Sequence, residues 1–194
     1  MLQTRVVIAV ADDNERKKLR NKLVKAGHLV IAQVADAKET LRVTFQFHPD
    51  LVIFDTQLPD YSGLGVPQVI DEHRVAPIVF LARDPQDIAR AAKTEWMLSY
   101  ILVPYTDDEL YLAIEVALAN FRRLTALEQE NAKLKRNVES RKLVERAKGL
   151  LMERKGFTER DAYKYIQKRS MDTSRSLAKV AKEIIIVLES PDKK

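Results

Sequence analysis

The sequence predicts an α/β fold with an all-α extension: a five-stranded parallel, doubly wound sheet, then a long coiled-coil helix, then a small three-helix domain. Three observations carry this reading. Short runs rich in Val and Ile recur through the first half, separated by charged stretches with helical spacing. Beyond Tyr105 there is no Pro until Pro191 and no Gly before Gly149, which allows an unusually long helix. The charge also changes sign along the chain. Residues 1–121 hold 13 Lys and Arg against 17 Asp and Glu, a net −4, while residues 122–194 hold 20 against 11, a net +9. An acidic region followed by a basic one suggests a regulatory part joined to a part that binds a polyanion. A merely solvated basic surface is the plainer reading of the same numbers.

The five strands are expected at residues 6–11, 29–34, 51–54, 78–81 and 100–103. A charged amphipathic helix over 14–26 separates the first two, with Gly27 placed to end it. Asp36 can cap the next helix, and Asp84 followed by Pro85 can open the fourth. Buried-looking strands alternating with helices imply a parallel sheet covered on both faces. In such sheets, sites form at the carboxyl ends of the strands. The first strand ends at Asp12 and Asp13 and the third at Asp55, so three carboxylates should meet in one crevice. Like charges this close need a counter-charge. A hard divalent cation such as Mg2+ supplies it, and a carboxylate beside such a metal can accept a phosphoryl group. The simpler alternative is that Asp12 and Asp13 only cap the first helix.

The segment Asp55-Thr56-Gln57-Leu58-Pro59-Asp60-Tyr61-Ser62-Gly63, taken with the Asp12-Asp13 pair, resembles the receiver domain of two-component response regulators, a flavodoxin-like fold. The resemblance covers about residues 4–121. It implies that Asp55 is the phosphoacceptor, Asp13 a direct Mg2+ ligand and Asp12 a water-mediated one, with the Gln57 carbonyl completing the metal site. It also places the switch aromatic at Tyr100 and a usually cis peptide bond at Val103-Pro104. Two positions depart from the family pattern. Ala82 stands where a Ser or Thr is expected, and Val103 where a Lys is expected. Those missing groups would hold the phosphoryl oxygens, and a modification without differential contacts cannot shift a two-state balance. Arg83 offers a replacement positive charge whose direction the sequence does not fix.

Thr106-Asp107-Asp108-Glu109 reads as a capping box that opens the long helix. Leu110, Ile114, Ala117 and Phe121 should pack on the sheet. A heptad follows, with a positions Leu124, Asn131 and Val138 and d positions Leu127, Leu134 and Arg141. A lone Asn at an a position favours two strands in one register. In a parallel homodimer the flanking pairs Arg123 with Glu128 and Glu130 with Lys135 are opposite in sign, which supports that pairing. The competing reading is one long helix packing within a monomer. The expected boundaries are 1–121 for the receiver, 122–140 for the coil and 141–188 for the output.

Residues 141–183 carry 13 Lys and Arg against 6 Asp and Glu. A first helix should end at Gly156, a second should start after Thr158, and Thr173 or Ser174 should cap a third. Leu150, Met152, Phe157, Ala162, Ile166 and Met171 read as core, and a tight helix contact would justify Gly149 in mid-helix. The run Ala147-Lys148-Gly149-Leu150-Leu151-Met152, Gly156, the helix start over 159–163 and the amphipathic helix over 175–184 resemble the ANTAR module, the RNA-binding domain of bacterial transcription antitermination regulators. The exposed cations and aromatics are then RNA-contact candidates: Arg146, Lys148, Arg154, Lys164, Tyr165, Lys168, Arg169 and Arg175, with Lys148 and Arg175 foremost.

Together the two resemblances imply a response regulator that binds paired hairpins in leader transcripts and prevents a terminator from forming. Its input is either a sensor histidine kinase acting through Asp55 or a sensor protein that sequesters it. A DNA-binding regulator is the alternative within nucleic-acid recognition. An enzyme is not expected, because the acidic cluster lacks a second acid or base and a substrate pocket. The chain has no Cys, which excludes disulfides and fits a reducing cytoplasm. Residues 1–20 do not read as a signal peptide, and no stretch approaches the roughly 20 apolar residues of a membrane helix.

Overall fold

The computed structural model describes residues 3–59, 65–91 and 99–189, so Asp60, Tyr61, Ser62 and Gly63 of the receiver-like segment lie outside the described residues. The chain divides into two units, residues 1–126 and 127–194. In the first, β1 (Arg5–Ala9), β2 (Leu29–Val34), β3 (Leu51–Asp55), β4 (Ile78–Ala82) and β5 (Ser99–Leu102) form one parallel sheet of order β2-β1-β3-β4-β5. The helices are α1 (Asp13–Lys25), α2 (Ala37–Phe47), α3 (Val66–Glu72), α4 (Pro85–Ala91) and α5 (Asp107–Lys155).

The period of two in the inner strands sorts their side chains between two cores. Val6, Ile8, Leu51, Ile53, Val79 and Leu81 face a cluster with Leu19 and Leu23 of α1 and Leu110, Ile114 and Ala117 of α5. Val7, Ala9, Val52, Phe54, Ile78 and Phe80 face the other, with Val43 of α2 and Ile70 of α3. Burial on both faces is why these strands read as unbroken apolar runs. Phe121, expected on the sheet, is only partly buried.

Helix ends follow the local chemistry. Asp12 caps α1 by accepting from the Glu15 amide (2.7 Å), and Asp36 caps α2 through the Glu39 amide (2.7 Å). Gly27, at φ +89°, ends α1 in a Schellman arrangement: its amide donates to the Val24 carbonyl and that of His28 to the Leu23 carbonyl. The capping box forms as expected. The Thr106 amide donates to Glu109 Oε2 (2.7 Å), and the Glu109 amide donates back to Thr106 Oγ1 (3.2 Å).

In the second unit, the end of α5 is followed by α6 (Glu159–Thr173) and α7 (Leu177–Glu189). Their core is Val144, Ala147, Leu151, Ala162, Ile166, Val180, Ala181, Ile184 and Ile185, with Leu150 and Phe157 packed against it. Three expectations need correction here. Met152 is 42% and Met171 67% exposed, so neither belongs to the core. The third helix is capped by Ser176, whose Oγ accepts from the Lys179 amide (3.4 Å). Thr173 still belongs to α6, and Ser174 closes it in the left-handed conformation. Three hydroxyl residues within four positions offered the cap equally well by sequence. Finally, no atom lies within 4 Å of where a Gly149 Cβ would be, so no tight contact explains this glycine.

Gly149 therefore costs helix stability without a packing return. Gly149→Ala should raise stability by about 0.5–1 kcal/mol, the usual difference in a helix interior. Chemical denaturation followed by circular dichroism checks this, and unchanged or lowered stability would mean that a neighbour does crowd the site.

Candidate functional site

The strand order places β1 beside β3 with β2 on the far side of β1, so the chain reverses its winding direction between them. Such a switch point opens a crevice at the carboxyl ends of the strands. Asp12 and Asp13 follow β1 and Asp55 closes β3, so all three stand at the carboxyl ends of neighbouring strands. Asp55 is 1% exposed, and its Oδ1 accepts from the Gln57 amide (2.9 Å).

What the sequence left open is where the positive charge comes from. Arg83, just past the end of β4, turns into the crevice. Its Nη1 donates to Asp55 Oδ1 (2.9 Å) and Oδ2 (3.0 Å) and lies 3.4 Å from Gln57 Oε1, while its Nη2 pairs with Glu15. Burial pulls its pKa down, but the Asp55 and Glu15 carboxylates outweigh that and hold the guanidinium above the usual arginine range. A second cation is committed nearby. Arg16 donates to the carbonyls of Val10 (2.6 Å) and Ala11 (3.0 Å) and to Asp13 Oδ1 (2.7 Å). Lys17 takes the other Asp13 oxygen at 2.5 Å. Asp13 is accordingly held below the ordinary carboxylate range, chiefly by its hydrogen bond from Lys17.

The donor types at Asp12, Asp13, Asp55 and the Gln57 carbonyl suit Mg2+. Their arrangement does not. Asp12 caps α1, Asp13 is paired with Arg16 and Lys17, and Asp55 is engaged by Arg83. Among the described residues, no three His, Asp or Glu side chains are grouped to hold a metal ion. Of the switch positions, Ala82 is fully buried, Tyr100 is half-exposed, and Val103-Pro104 is a cis peptide. Sequence reasoning overlooked Glu15 and Arg16. Both lie on the first turn of α1 after the acidic pair, and that placement is the signal that could have found them.

The second unit holds the expected RNA contacts, and they fall into two groups. Lys148 is 8% exposed and donates to Glu159 Oε1 (2.8 Å) on α6 and to both oxygens of Glu145 (3.0 and 3.1 Å). It joins α5 to α6 and does not face solvent as expected. Its position four residues after Val144 and three before Leu151 puts it on the buried stripe, which the helical period could have revealed. Arg146 is paired with Glu189 (2.6 Å) and Arg175 with Glu183. The other candidates are available. Arg154, Lys164 and Lys168 are exposed, with no carboxylate partner among the described residues, and Arg169 donates only to the Tyr165 hydroxyl (3.2 Å). Tyr165 is 39% exposed, its ring edge-on to Phe157 at 5.6 Å. With Ala162 and Ile166 anchoring α6 in the core, Lys164 and Lys168 share its opposite face.

The dimer-seam residues lie on the exposed middle of α5. Leu127, Leu134 and Val138 are 54%, 57% and 52% exposed, Asn131 is exposed and Leu124 partly buried. No helix of the described residues is long and apolar enough to cross a membrane.

Comparison with known proteins bears on both units. The response regulator receiver domain family matches residues 7–115, and the ANTAR domain family matches residues 132–185. The chain is 37% identical over 188 residues to the transcriptional regulatory protein PdtaR of Mycobacterium tuberculosis, spanning 96% of this chain and 92% of that protein. Its likeness to the regulatory protein VanR of Enterococcus faecium is 25% over 126 residues, 64% of this chain and 54% of VanR. Among solved structures, the signal receiver domain of a modulated diguanylate cyclase from Desulfovibrio desulfuricans G20 superposes with a TM-score of 0.55 at 22% identity, over 62% of this chain and 97% of that one. The receiver domain of an HD domain-containing protein from Pseudomonas fluorescens Pf-5 gives 0.55 at 22%, over 62% and 98%. At that identity the structural likeness speaks for the fold alone.

Lys148 should then behave as a structural residue. Glu159 is held below, and Lys148 above, its ordinary range by their mutual hydrogen bond. A depressed carboxyl contributes stability that is complete above its unfolded value and is lost as pH falls through its folded one. Lys148→Ala should lower the Tm at neutral pH, the gap to the wild type should narrow on acidification, and Arg154→Ala should leave the Tm in place. Thermal melts of the three proteins across pH check this, and an unchanged Tm for Lys148→Ala would return Lys148 to the contact surface.

Proposed function

The chain belongs to the response regulators that join a receiver domain to an ANTAR domain, and from that premise we propose that it is an RNA-binding transcription antiterminator. It acts in the cytoplasm on paired hairpins in leader transcripts and keeps a terminator from forming. The observation that carries this reading is the outer face of α6. Lys164 and Lys168 present cations there without carboxylate partners among the described residues, while Tyr165 and Arg169 lie on the helix flank beside Phe157, and Arg154 of α5 is likewise exposed and unpaired. Phosphates supply salt-dependent affinity to such a face, and unpaired loop bases can stack on the ring or the guanidinium.

The working unit is a parallel homodimer through the α5 seam. The exposed Leu127, Leu134 and Val138 support this, and Asn131 sets the register. Two output modules per dimer match two hairpins, and holding both on one RNA raises the effective concentration of the second contact. For the input, a sensor protein that docks on the regulator is favoured over phosphoryl transfer from a histidine kinase to Asp55. Ala82 and Val103 offer no hydroxyl or ammonium to a phosphoryl group, and Asp55 is already engaged by Arg83.

Gel shifts with a tandem-hairpin leader RNA and with duplex DNA of equal length test the output. Saturable binding of the RNA is expected. Lys164→Ala and Lys168→Ala should each weaken it and reduce the salt slope by about 1. Preferential binding of the duplex would replace this reading with a DNA-binding one. The dimer has its own test. Leu134→Asp should turn a dimeric species into a monomeric one in sedimentation velocity and remove the advantage of two hairpins over one. A wild-type protein that sediments as a monomer at every concentration would end the coiled-coil proposal.

A further inference from the structure

We propose that Arg83 is the built-in cation of the acidic site and takes the place of a divalent metal beside Asp55. A metal in this crevice needs a free Asp55 oxygen. Here both oxygens accept from Arg83 Nη1, at 2.9 and 3.0 Å, and Oδ1 accepts from the Gln57 amide as well. The guanidinium is fixed from its other side by Glu15 on α1, so it spans the crevice from the end of β3 to the first helix. Being permanently charged, it cannot yield the site by losing a proton.

The local charge points the same way. Asp12, Asp13, Glu15 and Asp55 bring four negative charges, and Arg16, Lys17 and Arg83 bring three positive ones, leaving a single net negative charge. A crevice neutralised from within exerts little pull on a dication. Arg83 thus provides a side chain's fork of donors where the receiver resemblance implies a hydrated metal, and the two exclude each other by position and by charge.

Magnesium titration of the full-length protein by calorimetry, with manganese binding followed by electron paramagnetic resonance, tests this without reference to RNA or to phosphoryl transfer. The wild-type protein should show no saturable site in the millimolar range. Arg83→Gln should gain one, tighter by about tenfold or more, and adding Asp55→Asn should abolish the gain. Arg83→Ala serves as a second variant should the Gln form fold poorly, with circular dichroism confirming that each is folded. A wild-type protein that binds as tightly as the variants would overturn the proposal, and so would folded Arg83 variants that still bind no metal.

Discussion

A carboxylate buried at the end of β3 has to be countered, and the receiver unit is organised around how that is done. Asp55 is 1% exposed because β3 is central in the sheet and covered on both faces. Removing one partner from a buried ion pair costs about 3–5 kcal/mol, since a bare charge stays behind. Arg83 is 29% exposed, and solvent at its end lowers that figure for this pair. The sign of the effect stands. Whatever neutralises Asp55 also fixes the end of β4 against the first turn of α1, because the same guanidinium holds Glu15. The site is therefore a structural junction as well as a chemical one.

The output unit applies charge differently. Its excess of basic residues divides between cations that hold helices together and cations that face water without an acid. Lys148 belongs to the first kind, with its stem in the core and its ammonium between Glu145 and Glu159. Lys164 and Lys168 belong to the second kind. Composition alone counts both kinds as polyanion-binding charge, and only the second is available for it. The cationic surface open to a polyanion is accordingly smaller than the net charge of the region suggests.

Most of the fold was legible because it rests on periodicities. Apolar runs gave the strands to within two residues at their ends, and the capping residues Asp36, Thr106 and Thr158 read directly from local rules, whereas Asp12, which caps α1, reads first as a metal ligand. Topology put Asp12, Asp13 and Asp55 at neighbouring strand ends as read, but their side chains are engaged separately, by the Glu15 amide of α1, by Arg16 and Lys17, and by Arg83. The directions of long side chains were not legible. Arg83 can reach into the crevice or out to solvent from the same backbone position, and the choice depends on Glu15, which is distant in sequence. Met152 and Met171 failed for a related reason. On helices with one buried stripe, an apolar residue one position off the stripe faces water.

These two units share α5, which runs without interruption from Asp107 to Lys155. For a receiver to govern an output through such a helix, its two states must differ in what they hold. Ala82 and Val103 carry neither the hydroxyl nor the ammonium that the receiver resemblance implies for a phosphorylated state, and Arg83 gives Asp55 a partner in the unmodified one. The conformational lever inside the receiver is therefore short. In the dimer proposed above, the exposed Leu127, Leu134 and Val138 would form a longer one, because burying them would change the number of ANTAR modules brought to one RNA and so the effective concentration. Under that proposal, a partner that covers these residues, or that holds the receiver so they cannot pair, would control the output without any chemistry at Asp55. That is the physical ground for the proposed docking sensor.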